Sequence, residues 1–169
     1  MALWRWLENK MPKVLIDTNV ILDIFTQDPI WFTWSNHQLE ELMGNNVKLV
    51  INPIVYAETS IGFPTTTELD KALEVFKFEY EEITQSALFS AGKAFLKYKA
   101  TKGTKASILP DFFIGAHADA MGYRLLTRDT GRYKTYFPTV HLLNPWSIIR
   151  LTSRLDPSEG LWLSRRPLR

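Results

Sequence analysis

The chain has 169 residues, 46% of them hydrophobic, and 20 Lys+Arg against 18 Asp+Glu give a formal net charge of +2. This suits one soluble domain with a sizeable core, and so small a net charge argues for no polyanionic partner by itself, so charge is read locally. With no cysteine, disulfides, thiolate nucleophiles and cysteine-based zinc sites are excluded. No apolar run reaches the ~20 residues that span a bilayer, and residues 1–6 lack the apolar stretch of a secretory signal; a cytoplasmic protein without a membrane partner is expected.

Short β-rich apolar runs alternate with longer segments of helical period, the pattern of an α/β fold on a parallel sheet. Residues 1–10 have no sustained period and read as an N-terminal extension. Val14-Leu15-Ile16 predicts a strand over 13–17, ending on Asp17, with a helix over 18–27 behind it. The aromatic cluster Trp31-Phe32-Thr33-Trp34 reads as core packing rather than a partner surface, ahead of a helix over 36–45. A strand over 47–51 leads into a helix over 53–61, where Ile54-Val55-Tyr56-Ala57 precedes Glu58. The helix over 66–78 has threonines at its start as candidate caps and Leu69, Ala72, Leu73 and Phe76 at helical spacing. After a strand of low apolar content over 80–84, Leu88, Ala91, Phe95 and Tyr98 mark a helix over 86–101. Pro110 and Asp111 open a helix over 111–121, and a strand over 124–127 stops just short of Asp129. A short helix over 130–135 and a strand over 139–143 complete the core pattern. The domain is therefore 11–145, and 146–169 is a C-terminal extension.

Asp17, Glu58, Asp111 and Asp129 lie far apart in the chain, each beside an apolar element able to deliver a carboxylate to one place. Two like charges ~4 Å apart repel by roughly 4 kcal/mol at an effective dielectric of 20, so a cluster of four calls for a cation, and oxygen donors suit a hard divalent metal. In open α/β sheets ligands bind beyond the carboxyl ends of the strands where strand order reverses; Asp17 and Asp129 converge there if their strands are neighbours. Simpler uses compete. Asp17 is a candidate helix N-cap, Asp111 a first-turn acid and Glu58 a solvent-facing residue. Asp23, Asp28 and Asp70 read as surface groups, His37 and Glu41 as a solvated pair, and His117 and His141 as packed side chains.

Four segments, in order, resemble the PIN-domain ribonucleases, and in particular the VapC-type toxins of type II toxin–antitoxin pairs. They are Val14-Leu15-Ile16-Asp17-Thr18-Asn19-Val20-Ile21-Leu22-Asp23, then Val55-Tyr56-Ala57-Glu58, then Leu109-Pro110-Asp111-Phe112-Phe113-Ile114-Gly115-Ala116-His117-Ala118, and last Leu125-Leu126-Thr127-Arg128-Asp129. The resemblance covers about 12–144. It implies a three-layer α/β fold with a central parallel sheet of four or five strands flanked by helices. It also makes Asp17, Glu58, Asp111 and Asp129 the catalytic quartet that binds Mg²⁺ or Mn²⁺, with Asn19 and Thr127 as supporting polar residues. The implied activity is metal-dependent hydrolysis of RNA phosphodiesters to a 3′-hydroxyl and a 5′-phosphate, by a toxin that inhibits translation. The implied partners are an RNA substrate, a cognate antitoxin and a second copy of the chain. Many relatives carry a further acid soon after the third; here the nearest is Asp119.

From Ile83 to Pro110 the chain has no acidic residue but holds Lys93, Lys97, Lys99, Lys102 and Lys105, and Arg128, Arg132 and Lys134 flank Asp129. Lysines attract the phosphate backbone that the acids repel, so Lys99, Lys102, Lys105, Arg128 and Arg132 are candidate RNA contacts. Tyr98 and Tyr133 are candidate stacking platforms for unpaired bases. Beside the nuclease stands a PIN-like module that binds RNA or protein without cutting. A phosphatase of the haloacid-dehalogenase kind needs Asp-x-Asp after the first strand, where this chain has Asp17-Thr18-Asn19.

Overall fold

Five strands make one sheet in the computed structural model, which describes residues 11–101 and 109–146. Lys102, Lys105 and both extensions, Trp146 excepted, lie outside the described residues. The strands are β1 (Lys13–Ile16), β2 (Lys48–Ile51), β3 (Glu79–Tyr80), β4 (Arg124–Leu126) and β5 (Leu142–Leu143). Their order is β3-β2-β1-β4-β5 and every pairing is parallel. Among the described residues seven helices complete a three-layer α/β arrangement. They are α1 (Thr18–Phe25), α2 (Phe32–Gly44), α3 (Pro53–Ser60), α4 (Thr66–Glu74), α5 (Gln85–Ala100), α6 (Leu109–Met121) and α7 (Gly131–Tyr136).

The central strands are covered on both faces, which is why they read as unbroken apolar runs rather than alternating ones. Val14, Leu15, Ile16, Val50, Leu125 and Leu126 are all fully buried. The chain winds from β1 outward to β3, then returns to lay β4 against the other side of β1. Strand order thus reverses between β1 and β4, and the backbone N–H of Asp17 donates to the carbonyl of Leu126 at 3.0 Å just where their ladder ends.

Local chemistry fixes the element ends. Asn52 Oδ1 accepts from the N–H groups of Ile54 and Val55, both at 3.0 Å, and Pro53 follows at the first helical position of α3. Thr65 and Thr84 cap α4 and α5 in the same way. Helix α6 ends on Gly122, whose φ of +64° places it in the left-handed region. There the N–H of Tyr123 reaches back to the carbonyl of Ala118 and that of Gly122 to Asp119, a Schellman closure. Gly115 lets α6 meet α7: a Cβ there would lie 2.4 Å from the Phe137 ring.

Several elements and environments depart from the sequence reading. Helix α2 begins at Phe32, not 36, because Asp28 Oδ1 accepts from the N–H groups of Ile30 and Trp31, both at 2.9 Å, and organises the entry. Helix α4 stops at Glu74, and Lys77 follows in the left-handed region at φ 53°. Only Glu79 and Tyr80 pair as β3. Asp23, expected at the surface, is buried; it falls on the inward stripe of α1, three residues after Val20. His117 is packed as expected, its Nδ1 3.4 Å from Asn52 Nδ2, whereas His141 faces out between the inward Val140 and Leu142. The tryptophan cluster is half-buried, Trp31 meeting Trp34 and Trp146 edge to face.

Candidate active site

The four acids gather at the carboxyl end of the sheet, over the β1–β4 join. Asp17 is the most enclosed, 4% exposed. Its backbone occupies the N-cap position of α1 (φ −75°, ψ 146°), yet its side chain makes no capping hydrogen bond. The carboxylate turns instead toward β4. Its Oδ2 accepts from Thr127 Oγ1 at 2.6 Å, from Asn19 Nδ2 at 2.6 Å and from the Tyr133 hydroxyl at 3.2 Å.

Thr127, also fully buried, organises the loop after β4. While donating to Asp17, its oxygen accepts from the backbone N–H of Asp129 at 3.0 Å. Asn19 Oδ1 accepts from the N–H of Arg128 at 3.3 Å. The start of α1 and the loop carrying Asp129 are thereby tied together. Asp129 itself is exposed, its Oδ1 accepting from the N–H of Gly131 at 3.1 Å.

Helix α3 brings Glu58 to the same end, where it accepts from the hydroxyl of Thr18. Helix α6 brings Asp111, which receives the Arg132 guanidinium of α7 on Oδ2; the same guanidinium nitrogen lies 3.5 Å from Asp129 Oδ2. Asp119 faces away and accepts from the Thr139 hydroxyl, so it is not part of this constellation.

Burial pushes the Asp17 carboxyl up to about 6; the Thr127 hydrogen bond opposes that rise, and the charges of Asp111 and Glu58 add to it. Burial likewise raises Asp111, against the pull of Arg132, while Asp129 and Glu58 reinforce the rise. Tyr133 is held well above the ordinary phenol range, first by burial and then by the Asp17 and Asp111 charges, so it stays a donor. These shifts mean that the acids feel one another as charges across this end of the sheet.

The candidate RNA contacts divide. Lys99 is exposed on α5, its ammonium 5.7 Å from the centre of the Phe95 ring. Arg128 points away from the acids: its guanidinium pairs with buried Asp23 at 3.1 Å and lies over the Trp31 ring. Asp23 also accepts from the buried hydroxyl of Ser35 at 2.7 Å. Arg132 is engaged by Asp111 and Asp129. Tyr133 is 2% exposed and so offers no stacking face, and the Tyr98 ring packs against Phe95, Phe112 and Tyr136.

The sequence reading missed Thr18 and Tyr133 as partners of the acids. Thr18 was signalled only by its place beside Asp17 in the first turn of a helix. Tyr133 was signalled by its place two residues into a short helix that follows Asp129.

The donors at this end are oxygens, the set that hard divalent cations prefer. Among the described residues, no three acidic or histidine side chains converge closely enough to hold an ion unaided. Mg²⁺ needs no such cage: it usually takes one or two carboxylates, keeps several waters and completes its shell with substrate phosphate. Asp17, held from one side through Oδ2, together with a neighbouring acid fits that plan.

The fold and the acidic site place the chain in a known class. It belongs to the PIN domain family, whose model matches residues 14–138. No curated protein sequence matches it. Among solved structures it is similar to VapBC2 from Rickettsia felis bound to a DNA fragment from their promoter, at 21% identity and a TM-score of 0.61, over 78% of this chain and 98% of that one. It is similar to a toxin–antitoxin complex from Klebsiella pneumoniae, at 22% identity and a TM-score of 0.58, over 78% and 97% of the two chains. VapBC-1 from nontypeable Haemophilus influenzae matches at 18% identity and a TM-score of 0.60, over 80% and 98%. At these identities the likeness is one of fold.

Proposed function

We propose that this chain is a metal-dependent endoribonuclease, the VapC-type toxin of a toxin–antitoxin pair, acting in the cytoplasm to inhibit translation. The observation that carries the reading is the setting of Asp17. A buried carboxylate at the strand-order reversal, refused a capping role and held through one oxygen by Asn19, Thr127 and Tyr133, is built to present its other oxygen in a fixed direction. Glu58, Asp111 and Asp129 join Asp17 as the catalytic and metal-binding residues in this reading. The similar structure from Klebsiella pneumoniae is a toxin–antitoxin complex by its own description, which supports an antitoxin as the protein partner.

Bound Mg²⁺ or Mn²⁺ would supply a water of lowered pKa and would stabilise charge developing on the phosphodiester oxygens. The chain's own residues do the positioning. Asn19 and Thr127 set the direction of Asp17, Thr18 sets that of Glu58, and Tyr133 seals the inner side against solvent. Lys99, with Lys102 and Lys105, would draw the RNA backbone toward this end. An exposed apolar stripe on α5, formed by Leu88, Phe89 and Leu96, supports a protein partner, whether antitoxin or second copy.

Induced expression in a bacterial host tests the reading. Wild type should arrest growth and leave cleaved RNA, and Asp17→Asn, folded and equally abundant, should do neither. Arrest by both variants, or uncut RNA during arrest, would refute it in favour of a binding module.

A further inference from the structure

We infer that Arg132 is a resident counter-ion of the acidic site, which gives up its carboxylates to an incoming divalent cation and takes a substrate phosphate instead. The inference rests on the nuclease reading and adds a role that the acids alone do not imply.

Three features carry it. Arg132 reaches one oxygen of each of two acids, Asp111 and Asp129, and so holds together at one point carboxylates that would otherwise repel. Its guanidinium has no other partner among the described residues, unlike that of Arg128, which is committed to buried Asp23. Its side chain is 38% exposed, at the rim of the site and not in its interior.

An ion pair that open to solvent holds weakly. A divalent cation carries twice the charge of the guanidinium and binds the same oxygens, so the two compete. Once released, the planar guanidinium remains on α7 beside the acids, with donors suited to two phosphate oxygens at once. The same side chain thus lowers repulsion before the cation binds and supplies positive charge to the RNA afterwards. An arginine that merely braced α7 would do neither.

Mn²⁺ titration calorimetry on the full chain, freed of metal, measures the competition directly. Arg132→Gln should bind Mn²⁺ roughly two- to fivefold more tightly than wild type, the size expected for removing one exposed charge pair. Its cleavage of single-stranded RNA at saturating Mn²⁺ should fall roughly tenfold or more. Arg132→Lys should lie between on both counts. Unchanged or weaker Mn²⁺ binding by Arg132→Gln, with its circular dichroism intact, would overturn the competition. Tighter binding with undiminished cleavage would overturn the transfer to phosphate. Asp17→Asn separates this inference from the nuclease reading: it should lose Mn²⁺ binding whatever Arg132 does. A wild type that binds no Mn²⁺ would refute both.

Discussion

Thr127 Oγ1 donates to Asp17 Oδ2 at 2.6 Å, joining residues 110 positions apart across the end of two neighbouring strands. The same hydroxyl accepts from the N–H of Asp129, so one buried side chain fixes two acids. Thr127→Val keeps the shape and removes the hydroxyl, leaving the Asp129 N–H and one side of Asp17 without their partner. Denaturant unfolding should show a loss of about 1–3 kcal/mol, with RNA cleavage falling alongside, and Thr127→Ser should restore most of both. Wild-type stability in Thr127→Val would remove this bond from the account.

The Asp17 carboxyl gives stability a pH dependence of definite sign. Its value in the folded chain, about 6, lies above its ordinary 3.8. The folded state therefore binds the proton more tightly, and this contribution is complete below about 4 and lost as pH rises through about 6. Across that window the metal-free wild type should lose about 3 kcal/mol relative to Asp17→Asn. The mutant should be the more stable above pH 6, with the gap closing toward pH 4. Parallel stability curves for the two proteins would contradict the burial of this charge.

Arg128 and Asp23 test a structural assignment against an electrostatic one. Sequence order made Arg128 a candidate RNA contact, but its guanidinium pairs with an acid that is 1% exposed. Arg128→Ala strands that buried charge and should cost roughly 3 kcal/mol of stability. The salt dependence of RNA binding should stay as it is. Lys99→Ala should do the reverse, leaving stability unchanged and reducing the salt slope by about one phosphate contact. An unchanged melting temperature in Arg128→Ala together with a reduced salt slope would exchange the two roles.

Gly115 meets Phe137 so closely that a Cβ would have to displace the ring. Gly115→Ala should destabilise the chain by about 1–3 kcal/mol through overpacking, and Phe137→Leu in the same chain should recover part of that loss. An unperturbed Gly115→Ala protein would show that the α6–α7 contact yields freely.

The three central strands and the places of the four acids beside them are legible because each rests on a local signal: an apolar run, a following polar residue, a helix of regular period. The edge strands β3 and β5, read as five residues each, pair over only two. Asp17 stood out as the residue that ends the buried run of β1. What escaped notice depends on contacts between distant segments. Nothing local marks Tyr133 as a donor to Asp17, and nothing about Arg132 says that it turns to Asp111 rather than to solvent. Asp23 escaped for another reason. Its spacing from Val20 placed it on the buried stripe of α1, but its charge argued for the surface, and only Ser35 and Arg128 make its burial tolerable. The sequence places the start of helix α2 too late because its organising residue, Asp28, lies four positions before the first helical residue, beyond the reach of a capping signature.

In the proposed function the Asp17 site cuts RNA with the help of a divalent cation. End-labelled small RNA incubated with purified wild type and with Asp17→Asn, in Mg²⁺, in Mn²⁺ and in EDTA, tests it most directly. Discrete fragments ending in a 3′-hydroxyl, formed by wild type with metal and absent both from EDTA and from Asp17→Asn, are the predicted result. Intact RNA in every lane, from folded protein free of any bound antitoxin, or equal cutting in EDTA, would contradict it.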